Sequence, residues 1–256
     1  MKVLELFMTP DQLKYKQTNQ PIASKWNQMK QTDDTRKRIG GGGYADAYAS
    51  EKDPGGIDKV AKPSEITSLA ADAYYQFLDM IAHNERIAKN PFFPRVYKLE
   101  TFRDKAGKYT YNVNMEKLAG LSSLSTEEAT RIGRELFTDF DTVVKQQKKE
   151  FRLPKTRPTG DANDTENRTK MSHLTAVMGL ADCFNEALFS STPPTNITNS
   201  HLRQAITLLR KILASNSKFS PDLHHGNLMV RRGPFAPQIV ITDPISGGDT
   251  SAPESY

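Results

Sequence analysis

Apolar positions fall at strand spacing in the first half of the chain and at helical spacing in the second. Residues 1–36 are polar, with Gln, Lys and Asn throughout, and are expected to form a short helical or irregular lead-in. From Arg38 to about Met115 the pattern suits a small strand-rich lobe, in which Tyr109 to Met115 alternates as a strand does. Residues 65–88 interrupt this lobe with Leu69, Ala73, Phe77, Met80 and Ile81 at helical spacing. Further on, Ser125-x-x-Glu128 has the form of a capping box and predicts a helix running toward Lys149, with Ile132, Leu136, Phe140 and Val143 among its apolar positions. Pro154, Pro158 and Gly160 make the stretch from Leu153 to Lys170 a predicted loop or insertion. Two more helices are predicted, from about Met171 to Phe189 and from about Asn199 to Asn216, the second with Leu202, Ile206, Leu209, Ile212 and Leu213 on one face. Strands followed by helices give an α+β class.

Composition narrows the setting. A length of 256 residues suits one two-lobed domain. Mean hydropathy is negative, and no apolar run approaches the roughly 18 residues a spanning helix needs, so no membrane association is expected. Val3 to Met8, flanked by Glu5 and Asp11, is too short for the apolar core of a signal peptide. Cys183 is the single cysteine, so no internal disulfide can form, and its neighbours Leu180, Ala181 and Phe184 predict a buried structural thiol. A net charge of +5 suits acidic protein partners or nucleotides but is too mild to indicate nucleic-acid binding.

Chemistry concentrates in Asp222-Leu223-His224-His225-Gly226-Asn227 and, after the apolar run Ile239-Val240-Ile241, in Thr242-Asp243-Pro244. An Asp followed five residues later by Asn is the spacing of a kinase catalytic loop, in which the Asp accepts the proton of the attacking hydroxyl and the Asn holds magnesium. A second Asp after an apolar strand, here Asp243, is the usual place for the other metal ligand. Far upstream, Gly40, Gly41, Gly42, Gly43, Tyr44 and Ala45 fit the glycine-rich pattern G-x-G-x-aromatic-small, which lets backbone approach phosphates closely. Tyr44 would cap that loop, and Lys62, ending Lys59-Val60-Ala61-Lys62, sits where a kinase lysine reaches the α- and β-phosphates. Glu65 and Asp72 are the candidates to pair with Lys62, with the balance toward Asp72. Glu116-Lys117-Leu118, following the predicted strand, resembles a hinge whose backbone would meet adenine. His224 takes the place of the lysine two after the catalytic Asp, near the γ-phosphate, while His225 is expected to be structural. Zinc is disfavoured for this pair, because adjacent histidines rarely share a metal and no further ligand lies nearby.

Through Gly40 to Tyr48, Val60 to Lys62, Phe93-Pro94-Arg95-Val96-Tyr97 and Phe219 to Ser246, the chain resembles the early serine/threonine protein kinases of T7-like bacteriophages. The resemblance implies a protein-kinase-like two-lobed fold, with a small antiparallel-sheet lobe and a reduced, mostly helical lobe. It divides the chain into the lead-in 1–36, an N-lobe 37–116 and a C-lobe 117–256. It also implies ATP and Mg2+ as cofactors, Ser and Thr of host bacterial proteins as acceptors, and action in the host cytoplasm. The family's further C-terminal region, associated with shutting off host transcription, is not expected here.

Departures from a typical protein kinase carry their own expectations. Ser220 stands where a His is usual, and Pro221 stands where regulated kinases place an Arg that gathers a phosphate. Pro244 replaces the Phe of D-F-G, and the 13 residues after Asp243 leave no room for an activation segment, so activity without a phosphorylation switch is expected. The alternatives are a small-molecule phosphotransferase of the aminoglycoside or choline kinase type, which shares D-L-H-x-G-N loops, and a pseudokinase that binds host proteins.

Overall fold

The computed structural model describes residues 38–41, 45–50, 53, 55–61, 68–103, 107–150, 162–190, 195–234 and 236–247. The lead-in 1–36, Gly42, Gly43, Tyr44, Lys62 and Glu65 lie outside the described residues. The chain divides into two compact units, one of residues 1–117, 211–220 and 245–256, the other of residues 118–210 and 221–244.

The first unit is built on a five-stranded antiparallel sheet of β1 (Arg38–Gly41), β2 (Ala45–Ala49), β3 (Gly56–Ala61), β4 (Val96–Arg103) and β5 (Tyr109–Glu116), in the order β1-β2-β3-β5-β4. Interior strand β5, between β3 and β4, carries the predicted alternation: Tyr111, Val113 and Met115 are buried, and Asn112 and Asn114 between them are half-buried. Helix α1 (Ala73–His83) covers β4, with Phe77 and Leu78 fully buried and the Tyr75 ring 5.3 Å from that of Tyr111. Each such buried aromatic contributes roughly 1.5–3 kcal/mol by leaving water.

This helix is shorter than the 65–88 periodicity predicts. Asp72 is its N-cap, accepting the Tyr75 amide at 2.9 Å, and residues 69–71 form a single 3-10 turn before it. Asn84 then accepts the Ile87 amide at 3.2 Å and starts the short α2 (Glu85–Ala88). Both side chains compete with the helix ladder for backbone amides, which is why Asp and Asn set helix ends.

The second unit is mainly helical. The capping box is formed: Ser125 Oγ accepts the Glu128 amide at 3.1 Å and Glu128 Oε2 accepts the Ser125 amide at 2.8 Å, opening α3 (Thr126–Leu136). The single helix expected to reach Lys149 is two helices. Phe137 turns extended and pairs with Ile197, and α4 (Phe140–Glu150) begins after the turn. The Asp139 carboxylate holds the Asn196 amide at 3.0 Å across this break. Gly133 makes the turn possible, since a Cβ there would run into the Phe140 ring. Helix α5 (Ala162–Phe189) starts well before Met171, so residues 162–170 of the predicted loop are helical. It packs on α3 and α4, and Phe184 meets Phe137 edge-on at 5.2 Å. Helix α6 (Ser200–Ser215) follows, with the Asn199 carboxamide accepting the His201 and Leu202 amides at its start. Residues 211–220 and 245–256 belong to the first unit, in which β7 (Phe219–Pro221) pairs with β10 (Ile245–Gly247). The second unit's own sheet is three-stranded and joins β6 (Ala119–Gly120), β8 (Leu228–Arg231) and β9 (Gln238–Ile241) in antiparallel order β6-β8-β9. Antiparallel sheets with helices packed beside them, and no alternating βαβ units among the described residues, make this an α+β protein. Among the described residues, no helix is long and apolar enough to cross a membrane.

Candidate functional site

The β8–β9 hairpin brings together Asp222, Asn227 and Asp243, the candidate residues of the D-x-x-x-x-N loop and of the segment after β9. Its strands pair Leu228 with Ile241, so the two chain segments leaving the hairpin run side by side, one through Asn227 and the other through Thr242. Thr242 gives both its amide (2.9 Å) and its hydroxyl (3.0 Å) to the Asn227 carbonyl. Five residues before Asn227, the Asp222 amide donates to the Pro244 carbonyl at 2.9 Å. These bonds hold Asp222, Asn227 and Asp243 in one place, with buried Leu223, Leu228, Ile241 and Pro244 as footing.

Asn227 links the two ends of the loop directly. Its side-chain amide nitrogen donates to the Asp222 carbonyl at 2.6 Å. A carbonyl can only accept, so the amide nitrogen must face it, and the Oδ1 atom points the other way. Oxygen is the donor that magnesium takes, and one or two protein oxygens with phosphate oxygens and water are a usual magnesium shell. Asn227 with the Asp243 carboxylate fits that shell. Among the described residues, no group of three or more His, Cys, Asp or Glu side chains is placed to hold a metal ion by itself.

The loop between Asp222 and Asn227 closes as a 3-10 turn over residues 225–227, with His224 at its N-cap. His224 Nδ1 accepts the Gly226 amide at 3.0 Å, and the Asn227 amide donates to the His224 carbonyl at 2.9 Å. His224 Nε2 lies 3.8 Å from Asp222 Oδ1, and the side chains of both are accessible to solvent. The exposed His225 ring stands edge-on to His224, with centroids 5.7 Å apart.

The remaining predicted residues separate into three sets. Gly40, Gly41 and Ala45 belong to the β1–β2 pair of the first unit, where Gly40 faces Ala47 and Gly41 faces Asp46. A Cβ at Gly40 would meet no atom within 4 Å, so packing does not demand a glycine there. Glu116 ends β5 in the same unit. Its carboxylate accepts the Arg95 amide at 2.8 Å and its amide donates to the Arg95 carbonyl at 3.0 Å. Lys117 donates its amide to Gly55 at 2.9 Å, and Leu118 opens the second unit. Gly42, Gly43, Tyr44 and Lys62 fall outside the described residues.

Asp72 is corrected in one respect: it sits before α1 as its cap rather than on a face of the helix. The acid that α1 does carry is Asp79, which apolar spacing alone does not single out. It is 2% exposed, and His83 Nδ1 lies 2.9 Å from its Oδ1. Tyr75 gives it a side-chain hydrogen bond, and burial first, then the Asp79 charge, pushes the Tyr75 phenol far above its ordinary range. The available signal was the spacing of Tyr75, Asp79 and His83, one helical turn apart on the face that holds Leu78.

No family model and no curated protein matches the chain.

Proposed function

We propose that the chain is an ATP-dependent protein serine/threonine kinase of the phage type, acting on host bacterial proteins in the host cytoplasm. The observation that carries this is the Asp222–Asn227–Asp243 constellation. The carboxamide of Asn227 closes the loop onto Asp222, and Thr242 and Pro244 bind the Asp243 segment to both. Those are the parts phosphoryl transfer requires: a carboxylate for the hydroxyl proton and two oxygen donors for the metal.

In this reading the acceptor hydroxyl donates to Asp222. Its oxygen lone pair forms the new bond to the γ-phosphorus as the bond to the bridging oxygen breaks. That electron pair leaves with ADP, and the hydroxyl proton passes to the Asp222 carboxylate. Asn227 and Asp243 would hold magnesium, which when bound neutralises charge on the phosphates. Lys62 and the backbone of Gly40, Gly41, Gly42, Gly43 and Ala45 are assigned to the phosphates, with Tyr44 over them. Leu118 is the assigned amide donor to adenine, since the Glu116 and Lys117 amides serve the fold.

The test is incubation of the purified protein with labelled ATP, magnesium and bacterial lysate, with the Asp222→Asn protein alongside. Label on Ser or Thr that depends on Asp222 is the expected result. Label that persists in both Asp222→Asn and Asp243→Asn would come from a contaminant and overturn the assignment. Transfer to a small alcohol in preference to protein would instead mark a small-molecule phosphotransferase.

A further inference from the structure

The geometry of His224 points to a role as a neutral hydrogen-bond donor to the phosphoryl group in transfer, with its tautomer fixed by the Gly226 amide; this inference rests on the kinase reading above. A backbone N–H can only donate. Since the Gly226 N–H meets His224 Nδ1 at 3.0 Å, Nδ1 must be the unprotonated nitrogen, and the ring proton sits on Nε2. Nε2 is the nitrogen on the Asp222 side, 3.8 Å from Oδ1. That separation is too long for a hydrogen bond between them. It suits two groups acting on adjacent atoms, with Asp222 accepting from the attacking hydroxyl and Nε2–H donating to an oxygen of the phosphorus it attacks.

Gly226 is part of the same device. A Cβ at that position would come within 2.8 Å of His224 Cε1 and 3.0 Å of Nδ1, so only glycine lets the ring lie against its own cap. The H-x-G of Asp222-Leu223-His224-His225-Gly226-Asn227 therefore works as one unit: the glycine amide fixes the tautomer, and its missing side chain leaves room for the ring. A donor aimed where charge develops, and fixed beforehand, acts mainly on the transition state.

Two substitutions separate the nitrogens. Asn at 224 can reproduce the Nδ1 acceptor and keep the cap but offers nothing at the Nε2 position. Gln at 224 reaches the Nε2 position with an N–H and gives up the cap. His224→Asn should lower kcat by about 10²- to 10³-fold with the ATP KM nearly unchanged, the range of a lost transition-state donor, and His224→Gln should retain more kcat than His224→Asn. An Asn variant equal to or better than the Gln variant would reduce His224 to a loop cap and overturn the inference. Independently of activity, nitrogen NMR of the histidine-labelled protein should show His224 Nδ1 as the unprotonated nitrogen and Nε2 as the protonated one, and the reverse assignment overturns it. Wild-type protein without ATP-dependent transfer would defeat the kinase reading itself. Active wild type with the Asn variant ahead would defeat only the role of His224.

Discussion

Asn227 and Asp222 are joined by a 2.6 Å hydrogen bond from the carboxamide of one to the main-chain carbonyl of the other. A single side chain thereby sets both the closure of the loop and the direction of its own Oδ1. Asn227→Ala should lose both, with a stability cost of about 1–3 kcal/mol for the part-buried carbonyl left without its donor and loss of phosphotransfer. Asn227→Asp replaces the donor with a second acceptor facing a carbonyl and should not restore the wild-type rate. Urea midpoints together with initial rates decide this; an Ala variant with unchanged stability would mean the bond contributes nothing to the fold.

Asp222→Asn should lower kcat by about 10²- to 10⁴-fold, the usual worth of a positioned proton acceptor. Because Asn227 bonds the Asp222 backbone rather than its carboxylate, the loop should keep its form, and the melting temperature should stay near that of the wild type. Asp243→Asn should act differently, shifting the magnesium concentration for half-maximal rate upward. A magnesium titration of the two variants side by side separates proton acceptance from metal binding.

Gly133→Ala should destabilise the second unit by about 1–3 kcal/mol, the cost of overpacking a close contact. The added methyl would be driven into the Phe140 ring, one residue beyond the turn at Thr138 and Asp139. Chemical denaturation reads this directly. A Phe140→Leu background, with no ring to strike, should relieve most of the loss.

Rising alkaline pH should lower the stability of the protein in two steps. Burial pushes the Cys183 thiol well up, and burial together with Asp79 does the same to the Tyr75 phenol. In the unfolded chain these groups ionise near about 8.5 and 10, so above each value the unfolded state gives up a proton that the folded state keeps. Stability from both groups is therefore complete below about pH 8.5 and falls as pH rises beyond it. A Cys183→Ala protein should hold its urea midpoint to about pH 10, where tyrosine ionisation begins.

Local signals carried much of the fold. The Ser125–Glu128 capping box is formed as read, and the alternation of Tyr111, Val113 and Met115 lies in β5. What escaped was set by partners distant in sequence. Nothing near Phe137 announces its pairing with Ile197, so α3 and α4 look continuous when only their apolar spacing is seen. At Asp72 two local roles compete, a charge on a helix and a cap before it, and the Tyr75 amide decides for the cap. At the candidate site, the spacing from Asp222 to Asn227 and on to Asp243 singles out three residues that the fold brings together. Two of the bonds that draw them together, from the Thr242 amide and to the Pro244 carbonyl, are main-chain bonds, which residue identity does not reveal.

The hairpin that supports the site also frees part of the chain. Leu228 pairs with Ile241 and Arg231 with Gln238, so the spacing of Asn227 and Asp243 is fixed by strand register and not by the length of the connection between Arg231 and Gln238. Arg232 anchors the near side of that connection, 2.7 Å from Glu128. Past it, between Gly233 and Pro234, residues could be added without moving either end of the hairpin. The same point would carry a tag or reporter dye, giving a view of the site from a position that takes no part in it.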